Sequence, residues 1–171
     1  MKIIRNILII ALALLLQSTL FGRFSVWGIR PDIAMLVLIL LVIDSGPVES
    51  VLYGFFIGFI QDVYTPEFLG FNSFTMSLMA FLLDNIKERL TVENYSVKAL
   101  VTFTACIVHD IIFLSFYTKF DRSMMVSLFV RVSIPGAVYT SVILVLFIIA
   151  WEWALSGGLY FVIQGLFRFR R

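Results

Sequence analysis

The chain has 171 residues, a formal net charge of +2, one histidine and one cysteine, and 61% of its residues are hydrophobic. Its mean hydropathy is +1.02. A soluble domain holds about 45–50% apolar residues, so this composition excludes an ordinary soluble fold. A lone Cys106 excludes an internal disulfide and a cysteine-built metal site.

The apolar residues are clustered into runs at 3–21, 33–43, 51–60, 97–117 and 137–151. About 20 such residues span a bilayer core as a helix. Strand spans would need short alternating segments, and none is present. The first run follows Lys2 and Arg5 and imitates a signal peptide. No small-x-small cleavage site comes after it; Gln17-Ser18-Thr19 does. It reads as a retained first helix, 3–21. Trp27, in the loop from Gly22 to Arg30, suits an interfacial anchor. Pro31 opens span 2, with Asp32 in a first turn where the helix dipole favours negative charge. Asp44-Ser45-Gly46-Pro47 ends that span in a turn, and Asp44 and Glu49 read as solvated.

Span 3 covers about 48–63, carries Gly54 and Gly58 four residues apart and ends on Asp62. Glycines four apart let a second helix approach closely, either within the bundle or from a partner; internal packing is the better prior. Asp62 closes the span and can accept hydrogen bonds from the turn at Gly70–Asn72. Thr65-Pro66-Glu67 breaks the helix, and span 4 covers about 72–86. The polar segment 87–98 reads as a loop. Span 5 covers about 97–117. Span 6 lies between 124 and 154, with Pro135-Gly136 either starting or kinking it. A tail from 157 ends in Arg168-Phe169-Arg170-Arg171, suited to the interface. At 1.5 Å per residue, a 16-residue span reaches roughly 24 Å, short of the ~30 Å core, so a re-entrant hairpin for spans 2 and 3 is the rival arrangement.

The expected fold is an all-α membrane protein: one domain over 1–171, a compact bundle of about six transmembrane helices with both termini cytoplasmic. That topology puts eight basic residues inside (Lys2, Arg5, Lys87, Arg89, Lys98, Arg168, Arg170, Arg171) and four outside (Arg23, Arg30, Lys119, Arg122). This obeys the positive-inside rule.

Asp110 stands inside span 5 beside His109. An ionisable group at such depth costs about 2.5–3.5 kcal/mol on insertion scales and needs a partner or water. If span 6 starts near 124, Arg131 lies at matching depth and an Asp110–Arg131 pair follows, with His109 nearby. If it starts at Pro135, Arg131 lies in the interface. Catalysis finds little support: no nucleophile elbow, phosphate loop or metal cluster is present. Nucleic-acid binding is excluded by scattered basic residues.

In order and spacing, Gln17-Ser18-Thr19, Arg30-Pro31-Asp32, Gly54-Phe55, Gly58-Phe59, Asp62, Leu69-Gly70, Asn72 and Pro135 resemble the MreD family of bacterial rod shape-determining proteins. Members often show an asparagine near Tyr139, where this chain has Thr140. The resemblance implies a non-catalytic inner-membrane scaffold without cofactor. Its implied partner is MreC, which has a single transmembrane helix. Through MreC it implies MreB, RodA and a class B penicillin-binding protein, the machinery of lateral peptidoglycan synthesis. The family is also similar to six-helix substrate-binding subunits of energy-coupling-factor vitamin transporters. That likeness implies a rival, a small-molecule-binding subunit with a polar pocket near the outer face. The AxxxA docking pattern of such subunits is missing; Ala11 and Ala13 are two apart.

Overall fold

In a computed structural model the described residues are Ile10, 29–64, 69–91 and 94–155. Apart from Ile10, span 1 with its Gln17-Ser18-Thr19 ending lies outside them, as do the 65–67 break and the tail from 157.

The described residues are helical in order: α1 (Ile33–Ile43), α2 (Pro47–Tyr64), α3 (Phe71–Thr91), α4 (Tyr95–Tyr117), α5 (Arg122–Leu128), a π-helical segment (Phe129–Ser133) and α6 (Ile134–Leu155). Among the described residues, two helices are long and apolar enough to cross a membrane: α4, and the continuous helix Arg122–Ala154 made of α5, the π segment and α6. At 1.5 Å per residue the latter reaches about 50 Å, well beyond a ~30 Å hydrocarbon core.

Helix α1 is apolar all round and sits at the centre. Met35, Leu38, Ile39 and Val42 are fully buried, and α1 touches α2, α3, α4 and α6. A helix without a polar face belongs in an interior. Its 11 residues reach only about 16 Å. It starts two residues later than the sequence predicts: Asp32 is the N-cap, its carboxylate accepting from the Met35 amide at 2.9 Å. Ile57 of α2, Met76 and Leu83 of α3, Ala105 of α4 and Leu144 of α6 close around α1, and Ile10 is buried in the same core.

The most extensive helix pairs are α2 with α3 and α4 with α6. The outward faces are apolar: Phe55, Phe56 and Phe59 on α2, and Val138, Val142, Leu146, Phe147 and Trp151 on α6, are all exposed. A water-soluble monomer rarely shows so much contiguous apolar surface; hydrocarbon covers it without penalty.

Two sequence expectations are corrected. The segment 87–98 is mostly helix, because α3 continues to Thr91 and α4 begins at Tyr95 behind an Asn94 N-cap. Lys87, Glu88 and Arg89 are good helix formers. Lys87 also has work to do there. Its Nζ lies 2.9 Å from Asp84 and donates to the Ser45 carbonyl at 2.8 Å, and Ser50 Oγ donates to Asp84 at 3.2 Å. These contacts tie the α1–α2 turn to α3. The second correction concerns Pro135. It does not start the last long helix, since helix begins at Arg122 and passes through the π segment. The Ile134 amide donates to the Phe129 carbonyl, an i→i−5 bond. Proline has no N–H to give an i−4 carbonyl; the wider turn just before it absorbs that mismatch.

Candidate functional site

Gly54, Gly58 and Asp62 recur every four residues and form one face of α2, and all three are buried. A Cβ on Gly54 would stand 2.9 Å from the Ala80 Cβ and nearer still to the Met76 carbonyl. A Cβ on Gly58 would stand 2.5 Å from the Ser73 Cα and nearer still to the Asn72 carbonyl. The two helices therefore meet backbone to backbone, and the glycine face points into the bundle against α3.

Asp62 completes this seam one turn on. Its side chain is fully buried. One oxygen accepts from the Asn72 amide at 2.9 Å; the other accepts from the Ser73 amide at 3.0 Å and the Ser73 hydroxyl at 2.6 Å. Those amides belong to the first turn of α3, whose donors have no partner within the helix. Gly70 precedes that turn at φ +92°, a left-handed conformation that glycine adopts without strain, and has no side chain to cap the helix. Asp62 is thus an N-cap delivered from another helix, placed where the dipole of α3 favours a negative charge. With donors on both of its oxygens, the carboxylate is a structural anchor.

A second polar group gathers around the start of α1. The segment Arg30-Pro31-Asp32 lies on α6. The Asp32 amide donates to Thr140 Oγ1 at 2.9 Å, and the same hydroxyl donates to the Gly136 carbonyl at 2.8 Å. A Cβ on Gly136 would make ordinary contact with the Arg30 carbonyl, at 3.5 Å. From α4, His109 Nδ1 lies 3.3 Å from Asp110 Oδ1, and its ring stacks on Phe113 with centroids 6.2 Å apart. His109 and Asp110 both stand on α4, which contacts α1. Cys106, one turn earlier on α4, is buried.

The structure therefore sorts the residues singled out in the sequence into two groups. Gly54, Gly58, Asp62 and Asn72 come together in the α2–α3 seam, with Gly70 at its turn. Arg30, Pro31, Asp32, His109 and Asp110 gather at the other site with the α6 turn that follows Pro135. The pairing of Asp110 with Arg131 is not formed. Among the described residues the ionic neighbour of Asp110 is His109, and Arg131 is exposed in the π segment with no ion pair.

Ser73 and Thr140 carry hydrogen bonds that sequence reasoning missed. Ser73 follows Asn72 at a helix start, and that position was a usable signal. The hydroxyl of Thr140 accepts from the Asp32 amide, 108 residues away, a contact that no local pattern signals.

Two apolar hollows flank the first half of α4. One, of about 610 Å³, lies between α4 and α6 over Ala99, Phe103, Ser141 and Val145. The other, of about 360 Å³, lies between α3 and α4 over Leu83, Ile86, Val101 and Val108.

The family model described as rod shape-determining protein MreD matches residues 1–170, so the chain belongs to that family. No curated protein and no solved structure matches it. Family and apolar helices together identify a membrane protein of the cell-shape-determining class, a structural family with no known enzymatic role.

Proposed function

We propose, from membership of the MreD family over residues 1–170, that this protein is a non-catalytic scaffold in the bacterial inner membrane. It crosses the bilayer about six times with both termini in the cytoplasm. It binds the transmembrane helix of MreC and thereby supports MreB, RodA and a class B penicillin-binding protein in lateral peptidoglycan synthesis. The match along the whole chain is the observation that carries this reading.

The geometry narrows how a scaffold of this kind can meet its partner. The glycine face of α2 is consumed by α3, so a partner helix has to use outward surfaces. The opposite side of α2 presents Phe55 stacked on Phe59, with centroids 6.1 Å apart, and Phe56 edge-on to Phe55 at 5.8 Å. In lipid, helices associate through close packing and hydrogen bonds rather than hydrophobic drive. A preformed aromatic ridge provides such a packing surface.

Co-purification with tagged MreC tests this. Joint replacement of Phe55, Phe56 and Phe59 by leucine is expected to keep the fold and lose MreC. In a depleted rod-shaped host the wild-type chain is expected to restore rods, and the triple variant to leave round cells. Full recovery of MreC and of rod shape by the triple variant would remove α2 as the docking surface. Failure of the wild-type chain to retain MreC at all would remove the scaffold reading.

A further inference from the structure

The two apolar hollows beside α4 share one wall. Leu100 lines both the larger hollow, against α6, and the smaller one, against α3. It is 65% exposed, so it stands as an outward ridge with a hollow on either side. Ser141 in the larger hollow and Thr104 in the smaller bring hydroxyls, but each donates to a carbonyl of its own helix, at 2.7 and 2.8 Å. Along their length the hollows therefore offer an occupant apolar contact and no open hydrogen bond.

Charge is found at one end. Tyr95 lines the larger hollow at the start of α4. Its hydroxyl donates to the Glu152 carboxylate of α6. Lys98 Nζ lies over the Tyr95 ring, 5.6 Å from its centroid, within cation–π reach. One aromatic side chain thus gathers a cation and an anion. Trp151 and Trp153 stand on either side of Glu152 and are exposed; tryptophan and tyrosine mark the headgroup level of a bilayer. From Tyr95 to Phe103 the larger hollow follows α4 for about 12 Å, and from Leu100 to Val108 the smaller one runs about as far. That is close to one leaflet of a ~30 Å hydrocarbon core. A transmembrane helix, about 10–12 Å across, would continue through both leaflets and ride on Leu100 instead of filling the space beside it.

We propose that the paired hollows seat one zwitterionic phospholipid of the phosphatidylethanolamine class, with an acyl chain on each side of Leu100. Its phosphate meets Lys98 and its ammonium meets Glu152, both charge-assisted contacts. The hollows select a lipid with two chains, and the opposite charges on Tyr95 select its headgroup. A lipid with a net negative headgroup has no cation to give Glu152 and meets a charge of its own sign there. The proposal rests on the bilayer setting of the chain and not on MreC binding.

Native mass spectrometry of the full chain, purified in mild detergent and exchanged against defined lipids, tests this. One dioleoylphosphatidylethanolamine is expected to stay on each chain. Dioleoylphosphatidylglycerol and single-chain lysophosphatidylethanolamine are each expected to be retained severalfold less. Val145→Trp fills the hollow against α6 and Thr104→Trp the hollow against α3, and either is expected to lower retention of the ethanolamine lipid severalfold. Glu152→Gln is expected to erase the preference for the ethanolamine lipid over the glycerol lipid. Glu152 is exposed, so this variant keeps the bundle and the test stands even if the tryptophan variants do not fold. Equal retention of the two diacyl lipids by the wild-type chain, the behaviour of annular lipid only, overturns the proposal. So does retention of the single-chain lipid as strongly as the diacyl one, unchanged retention by a folded tryptophan variant, or a wild-type preference in Glu152→Gln.

Discussion

The α2–α3 hairpin and the α4–α6 pair are the two most extensive helix contacts in the bundle, and they are made in opposite ways. The hairpin closes by removing side chains. Gly54 and Gly58 bring α2 down onto the backbone of α3, and the buried Asp62 carboxylate has donors on both oxygens. The α4–α6 pair meets through side chains, leaves a hollow between Phe103 and Val145, and adjoins His109, whose Nε2 has no hydrogen-bond partner among the described residues. Close packing without side chains tolerates no addition. Packing through side chains can adjust. The first region is therefore expected to be brittle and the second forgiving.

The sharpest way to break that contrast is Gly58→Leu. Its side chain would overlap the Asn72 and Ser73 backbone, which cannot move without unseating the first turn of α3. Overpacking typically costs about 1–3 kcal/mol and here is expected at or above the top of that range. Unfolding in a denaturing-detergent titration measures it. A bulky residue at Ser141 or Val145, facing the α4–α6 hollow, is expected to cost much less in the same assay. Equal losses would end the contrast.

Next in size is Asp62→Ala, which leaves two amides and a hydroxyl unpaired inside the bundle. Hydrogen bonds to charged groups contribute about 1.5–3 kcal/mol each, and partial relaxation of the turn brings the expected total to about 3 kcal/mol. Asp62→Asn, which retains two acceptor lone pairs, is expected to recover part of it. On the other side of the molecule, Thr140→Val removes the single acceptor of the Asp32 amide at nearly constant volume, for about 1 kcal/mol. Thr140→Asn is expected to be nearly neutral, since its carbonyl can take the same amide. Smallest is Lys87→Met. The Asp84–Lys87 contact is partly exposed, so its loss is expected to stay below about 1 kcal/mol, read as a small shift in thermal aggregation temperature.

Much of this was legible in the residues. Apolar runs and turn signals placed the helices, and the four-residue spacing of Gly54 and Gly58 marked a close-packing face. Whether that face looked inward was not legible, because a glycine pair marks a close approach without naming what approaches. The length of the polar connection after α3 was misjudged because polarity and helix propensity disagree at Lys87-Glu88-Arg89, and propensity plus a tertiary hydrogen bond prevailed. The Asp110–Arg131 pair failed for a subtler reason. Counting residues measures depth along a helix, but facing also depends on the turn being regular.

That irregular turn has a consequence of its own. A π segment holds one residue more than an α-helix would over the same rise, and one residue is worth about 100° of rotation. Everything from Arg122 to Leu128 is thus out of phase with the stripe that α6 presents to α4. A ruler of 3.6 residues drawn back from α6 points to the wrong side chains beyond Pro135. Shortening 129–133 by one residue would bring the two halves into step and swing the amino-terminal half by a quarter turn or more. The segment acts as an angular offset between the anchored half of this long helix and the half that projects past it.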